Sequence, residues 1–246
     1  MFDYNSFTNA VIKANKELYS YLNTSLSSLD FEESNSVGYG GDNTLNIDII
    51  AEKIFIKHLL DFGDIFSEEI GLISSSSNIK IIIDPLDGSH NFLSQLPYYG
   101  TSVALKIDGV TKAGYVTNLS NGTILYKVNN LTKKISLLDN SELKTYDIKK
   151  PQIGIFERAY SYPKLAKKLK EKNIKFRSPG AVALSLSDAK NFNFVIFAGK
   201  IREFDIAAAL YISDNLFVYK DEEFLIIAKT KQILLRIKEI IKNNRL

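Results

Sequence analysis

Apolar residues recur at helical spacing near the start of the chain: Phe7, Val11, Leu18 and Leu22 share one face of a proline-free segment, 3 to 29. That spacing predicts an amphipathic helix. Residues 33 to 44 break the rhythm. Ser34, Asn35, Ser36, Gly38, Gly40, Gly41 and Asp42 offer little apolar surface and many backbone options, which predicts a lid or hairpin. Helical periodicity returns from Ile47 to Phe62. Short β-prone runs follow at 64–66, 79–83, 101–106, 111–117 and 123–127, with Asp108-Gly109 and Asn121-Gly122 as hairpin turns.

Beyond the polar stretch 139–151 the pattern becomes an alternation. Strands are predicted at 152–156, 174–177, 194–197, 215–218 and 224–228, and helices at 163–172, 180–190, from Asp205, and at 230–243. Ser178-Pro179 suits a helix start, serine as cap and proline in the first turn. The expected organisation is an N-terminal α+β half, 1–140, carrying the acidic motifs, and a C-terminal α/β half, 141–246.

Composition narrows the chemistry. Apolar residues make up 45% and charged residues 24% of the chain, as in an ordinary globular protein, and there is no cysteine. Disulfides, thiolate metal sites and a cysteine nucleophile are thereby excluded, leaving oxygen chemistry. Apolar runs fall far short of the roughly 20 residues of a membrane span, so no membrane association is expected and the cytoplasm is the default compartment. The net charge of +3 is dispersed, which argues against nucleic acid as a partner. The lysines from 164 onward read as a solvated helix face around Leu165 and Leu169. His58 falls on the apolar face of its helix with no second histidine at ligand spacing, and reads as a packed residue rather than a ligand.

The β-branched run Ile79-Lys80-Ile81-Ile82-Ile83 leads into Asp84-Pro85-Leu86-Asp87-Gly88-Ser89. Pro85 holds Asp84 extended, and the strand is expected to stop there, with a tight turn bringing Asp87 beside it. Two carboxylates with the Leu86 carbonyl between them form a metal-ligand pattern. Gly88 lets the backbone approach a bound group, and the amides of Gly88 and Ser89 open a helix toward an anion. Taken alone, Asp-Pro-x-Asp-Gly is also an ordinary turn sequence. A carboxylate cluster of this kind needs cations, and all-oxygen ligation favours magnesium, with manganese as a substitute.

The longer string Asp84-Pro85-Leu86-Asp87-Gly88-Ser89-His90-Asn91-Phe92 has company: Ser67-Glu68-Glu69 upstream, and Glu203-Phe204-Asp205-Ile206-Ala207-Ala208 downstream. In this order, over essentially the full chain, these strings resemble the inositol monophosphatase and fructose-1,6-bisphosphatase superfamily. Gly40 to Thr44 followed by Asn46 to Glu52 is similar to the lid and second helix of its archaeal-type dual-activity branch. The resemblance implies an α+β fold, a layered α-β-α-β-α sandwich of the sugar phosphatase type. It implies a first metal held by Glu68, Asp84 and the Leu86 carbonyl, and a second held by Asp84, Asp87 and Asp205. Glu68 and Ser89 would activate the attacking water. Asp42 and Asp48 would be lid acids for a third metal or a proton relay, so that two or three Mg2+ ions are expected.

Asp205 is open to a simpler reading as the cap of the helix that follows, which is compatible with ligation. By the same resemblance, Asp87, Gly88 and Ser89 contact the substrate, and the segment from Arg177 to Val182 forms its wall. Arg177 would hold a second phosphate bidentately or stand as a strand-end surface residue. Arg202 is a further substrate-binding candidate, and His90 a rim residue. The family usually has a charged substrate contact shortly before the glycine preceding Asp-Ile-Ala, whereas this chain has Val195-Ile196-Phe197-Ala198 before Gly199. The implied activity is hydrolysis of a small sugar or inositol phosphate by a homodimer. A 3′-phosphoadenosine 5′-phosphate phosphatase and a non-catalytic metabolite-binding relative are the alternatives.

Overall fold

The computed structural model of the chain describes residues 2–41, 43–73 and 76–243, with Asn35 described by its backbone alone. Helix α1 (Tyr4–Thr24) starts where the Asp3 carboxylate accepts from the amides of Asn5 and Ser6, both at 3.0 Å. It ends five residues before the predicted boundary. The apolar spacing stops at Leu22, and Asp30 turns the chain into a 3-10 turn at Ser28–Phe31 by accepting from the Ser27 amide at 2.7 Å. Strands β1 (Glu33–Val37) and β2 (Asn43–Leu45) pair antiparallel, so the polar segment is a hairpin. Helix α2 (Asn46–Leu59) follows directly. On it His58 is half-buried, in line with the packed residue read from the sequence, and places Nε2 2.7 Å from Glu17 of α1.

A seven-stranded sheet comes next along the chain. It is made of β3 (Asp64–Ser67), β4 (Gly71–Ile73), β5 (Ile79–Asp87), β6 (Gly100–Ile107), β7 (Val110–Asn118), β8 (Thr123–Val128) and β9 (Leu131–Ser136). Their spatial order is β4-β3-β5-β6-β7-β8-β9. The short helix α3 (Ser89–Leu93) leaves the end of β5. Strands β4 and β9 carry no clear alternation and are absent from the sequence reading; both lie at the sheet edges, where few side chains need burying.

The rest of the chain supplies β10 (Gly154–Glu157), α4 (Pro163–Glu171), β11 (Phe176–Arg177), α5 (Val182–Ser187), β12 (Phe194–Ala198), α6 (Glu203–Ile212), β13 (Phe217–Lys220), β14 (Phe224–Ala228) and α7 (Lys231–Lys242). Its strands form a second sheet in the order β11-β10-β12-β14-β13, with β10 parallel to both neighbours. Helix α5 begins at Val182, later than Ser178-Pro179 suggests, because Gly180 is held at φ 91° and breaks any helix before it.

Three apolar cores separate five layers. Residues of α1 and α2, such as Phe7, Leu18 and Phe55, pack with Ile81 and Val103 of the first sheet. The other face of that sheet, through Ile82 and Ala104, meets α5 and α6, which also pack on Val195 and Phe197 of the second sheet. The second sheet's far face, through Phe156 and Ile226, is covered by Leu165 and Leu169 of α4 and Ile237 of α7. The architecture is thus the α-β-α-β-α sandwich that the sequence led us to expect. Among the described residues, no helix is long and apolar enough to cross a membrane.

Candidate active site

Strand β5 does not end at Asp84. It pairs with β6 as far as Asp87, and the register shifts on the way: Asp84 faces Ser102, while Asp87 faces Gly100. Three steps on β5 therefore match two on β6, which is the one-residue surplus of a β-bulge. The bulge contains Pro85, which has no N–H to give to a ladder. Its consequence is geometric. In a regular strand residues three apart point to opposite faces, but the surplus residue restores parity and both carboxylates line one cavity of 370 Å³.

That cavity collects acids from distant parts of the chain. Glu68 comes from just beyond β3, Asp84 and Asp87 from β5, and Asp205 from the first turn of α6. Ligand oxygens of Glu68, Asp84 and Asp205 all lie within 4.8 Å of one another. Asp87 lines the same cavity, but its two oxygens accept from the amides of Val182 (2.8 Å) and Leu184 (3.1 Å) at the start of α5. Leu86 also lines it, and its amide donates to Asp84 Oδ1 at 3.0 Å. Asp205 occupies the third position of α6 rather than the cap, which is Arg202. Asp205 is therefore not the N-cap residue, but from the third position its carboxylate accepts from the Arg202 backbone amide, a capping contact compatible with ligation.

Burial opposes ionisation throughout. It pushes Glu68 up to about 8, with Asp205, Glu69 and Asp87 adding repulsion and Arg202 opposing. Asp84, 3% exposed, is raised well above the usual carboxylate range by burial and by the charge of Glu68. Asp87 is pushed up to about 7 by burial, against the Leu184 amide, and Asp205 is raised by burial despite its Arg202 partner. Arg202 is the protein's own counter-charge. Its Nη1 lies 2.7 Å from Glu68 Oε1, and its Nε and Nη2 each lie 3.0 Å from an oxygen of Asp205.

Seven carboxylates and two arginines line the cavity, an excess of negative charge that the protein alone leaves unbalanced. A close-set, all-oxygen donor group of this kind fits a hard divalent cation. One wall of the cavity is built where α3 begins. Gly88, at φ 85°, has no room for a side chain: a Cβ there would stand 3.0 Å from that of Ala181 and 3.1 Å from the Tyr98 carbonyl oxygen. Ser89 and His90 line the cavity just beyond it, His90 exposed at the rim. Tyr98 lies beneath, its hydroxyl 3.0 Å from Ser185 Oγ.

The hairpin is fastened over the cluster. The amides of Tyr39 and Gly40 donate to the carbonyls of Glu69 (2.9 Å) and Glu68 (2.8 Å), which ties the hairpin to the acidic strand end. Asp48 sits below it, its carboxylate accepting from the Leu45 amide at 2.9 Å; burial pushes it up to about 7. Asp42, the other expected lid acid, lies outside the described residues.

Two expectations about arginines change. Arg177 is exposed and lines a groove with Lys167 and Lys170 of α4, its Nη1 donating to the Phe176 carbonyl at 2.9 Å. The structure does not bring it into the acidic cavity: β11 is an edge strand, and Arg177 faces the groove beside α4. Val182, Gly180 and Arg202 do line the cavity, Arg202 as an ion-pair partner of the acids. The sequence reading missed Glu157, Arg158, Tyr160 and Ser161, which also line it. Glu157 is 1% exposed and accepts from the Gly180 amide (2.9 Å) and Ser185 Oγ (2.5 Å). The available signal was position: both leading residues follow an apolar strand of an α/β half, where parallel strands present binding residues at their C-terminal ends.

Comparison with known proteins agrees with this geometry. A fructose-1,6-bisphosphatase of Pyrococcus furiosus is 38% identical over 66 residues, 26% of this chain and 26% of that protein. A bifunctional NADP phosphatase/NAD kinase of Methanocaldococcus jannaschii is 39% identical over 95 residues, 37% of this chain and 17% of that protein. The aligned stretches therefore span about a quarter or less of these relatives' own lengths. The solved structure of a Thermotoga maritima IMPase superimposes with a TM-score of 0.76 at 20% identity, covering 96% of this chain and 98% of that one, and so shares the fold. The sequence profile of the inositol monophosphatase family matches residues 3–214, and the chain belongs to that family.

Proposed function

We propose that the protein is a divalent-cation-dependent phosphomonoesterase acting on a small sugar or inositol phosphate. The observation that carries this reading is the convergence of Glu68, Asp84 and Asp205 within 4.8 Å at the end of β5. Glu68, Asp84 and the Leu86 carbonyl would hold one ion, and Asp84, Asp87 and Asp205 another; magnesium suits these donors, with manganese as a substitute, and a third ion or a proton would sit with Asp48 and Asp42. When bound, such ions supply positive charge that stabilises in-line attack of water on phosphorus.

The chain's own residues do the rest. Glu68 accepts the proton of the attacking water, and Ser89 Oγ orients that water. The backbone from Asp87 to Ser89 receives the phosphate oxygens, with Gly88 allowing the close approach. Asp87 is held by the amides of Val182 and Leu184, and Glu157 anchors the same segment by accepting from the Gly180 amide and Ser185 Oγ, so that strand and helix fix its direction together.

The relatives' names support the substrate class: one is a fructose-1,6-bisphosphatase, another a fructose-1,6-bisphosphatase/inositol-1-monophosphatase of Thermococcus kodakarensis. The 3′-phosphoadenosine 5′-phosphate alternative leaned on Arg177, which lies on another surface. A purely binding role sits poorly with acids gathered this closely. A cytoplasmic homodimer belongs to this reading on family likeness alone. Release of inorganic phosphate from inositol 1-phosphate, fructose 1,6-bisphosphate and p-nitrophenyl phosphate tests it. Turnover in Mg2+, abolished by EDTA and restored by added Mg2+, is expected. Undiminished turnover in EDTA, or none with any ester, would refute it.

A further inference from the structure

The chain reverses after β10 at Arg158, φ 60° and ψ 29°, and enters a 3-10 turn at Ala159–Ser161. In such a turn side chains three apart eclipse one another, so Ala159 and Tyr162 fall on one side. That side faces inward. Ala159 is buried in the core beneath the second sheet, and the Tyr162 ring meets those of Phe224 at 5.4 Å and Phe156 at 6.3 Å. The preceding residue is fastened as well, the Arg158 guanidinium lying over Phe197, 5.1 Å from the ring centroid. Tyr160, between these anchors, is turned outward by the geometry of the turn. At 80% exposed it is the most exposed large apolar side chain among the described residues, and it lines the acidic cavity.

A lone exposed ring elsewhere on a surface needs no explanation. This ring is held by a firmly anchored turn at the mouth of the site. Among the described residues no other ring stacks on it and its hydroxyl makes no hydrogen bond. The neighbouring walls have few polar side chains to spare for an alcohol. Strand β12 ends in Val195 to Ala198, all buried, and none of residues 194–200 lines the cavity. Glu157 is occupied by the Gly180 amide and Ser185 Oγ, and Val182 is aliphatic. In our functional reading the scissile phosphate lies at the acidic cluster, so the alcohol it leaves with extends toward Tyr160, Ser161 and Val182.

Building on that reading, we infer that Tyr160 is a specificity-determining residue: its ring stacks on the C–H face of a cyclic leaving group, so that ring alcohols are preferred to open-chain ones. The axial C–H groups of a sugar or cyclitol present an apolar, weakly positive face, which matches the negative face of an aromatic ring. A closed ring also arrives in one shape, whereas an open chain must give up its rotamers to lie flat. The cavity volume of 370 Å³ lies near the lower end of the range of about 300–1,000 Å³ for ligand pockets, in keeping with a single such ring.

Inositol 1-phosphate and glycerol 2-phosphate form the test pair. Each is the ester of a secondary alcohol flanked by hydroxyl-bearing carbons, and only the first closes a ring. KM and kcat for both are compared in Mg2+ for the wild type, Tyr160→Phe and Tyr160→Ala, with thermal denaturation to show the variants folded. The wild type should have a KM at least about fivefold lower for the cyclic ester. In Tyr160→Ala the ratio of the two KM values should shrink at least about threefold, while Tyr160→Phe, which keeps the ring and loses the hydroxyl, should hold it within about twofold. A wild type without the preference, a Tyr160→Ala enzyme that keeps it, or a Tyr160→Phe enzyme that loses it would overturn the inference. Should neither ester be hydrolysed, the hydrolase reading fails instead. The same ratio is then read as Kd by calorimetry in Mg2+, where its persistence in Tyr160→Ala or its absence in the wild type still overturns the role of Tyr160.

Discussion

Asp84 is 3% exposed and lies beside Glu68, Asp87 and Asp205, so its ionised form is opposed by burial and by three like charges. A carboxyl raised in this way contributes stability below its ordinary range and loses it as pH rises. Asp84→Asn keeps an oxygen for the Leu86 amide and removes the charge. We expect it to raise the melting temperature of the cation-free protein at pH 8 by ~3–8 °C, with little change at pH 5, and to lower phosphate release at least a thousandfold, as checked by calorimetry and a phosphate assay. Arg202 should behave in the opposite way. Arg202→Gln leaves Glu68 and Asp205 without their partner, so the cation-free protein should lose about 3 kcal/mol in denaturant titration at pH 8. Saturating Mg2+ should remove most of that loss, because another positive charge then serves the same oxygens.

At the scale of elements, the site depends on how closely α6 lies on β7. A Cβ at Gly114 would stand 2.6 Å from the Ala208 carbonyl oxygen, which is backbone and cannot swing aside. Gly114→Ala must therefore lift the helix that carries Asp205. We expect a Mg2+ affinity at least tenfold weaker by calorimetry, with a stability loss of about 1–3 kcal/mol typical of an overpacked core. This dependence shows what the sequence could and could not reveal. The helix predicted from Asp205 and the strand from 79 were legible because apolar and β-branched runs are local signals. The bulge at Pro85 was not: a proline before a tight turn and a proline within a bulge read alike until the partner strand is known, and only the pairing with Gly100 and Ser102 separates them. The acids at 68, 84, 87 and 205 stood out through their motifs. Arg158 and Glu157 did not: their one signal was a place at the end of the apolar strand predicted at 152–156, and no motif set them apart.

Considered as a whole, the molecule packs three apolar cores around one strongly acidic cavity, so its stability must depend jointly on pH and cation. Asp48 and Asp87 are pushed up to about 7 and Glu68 to about 8. Each binds its proton more tightly folded than unfolded, so the cation-free protein is most stable below pH 4–5 as far as these groups are concerned. That contribution is lost as pH rises toward 8. The melting temperature in EDTA should fall across this window, and the increment produced by Mg2+ should grow over the same range, by ~5–10 °C between pH 5 and pH 8. An increment independent of pH would mean that the ions bind elsewhere.

Anomalous diffraction from crystals grown with Mn2+ tests the central claim most directly. The account predicts density peaks within coordination distance of the carboxylates of Glu68, Asp84 and Asp205, displacing the Arg202 guanidinium from at least one of them. Crystals that hold manganese only at other carboxylates, with Arg202 still bridging Glu68 and Asp205, would contradict it.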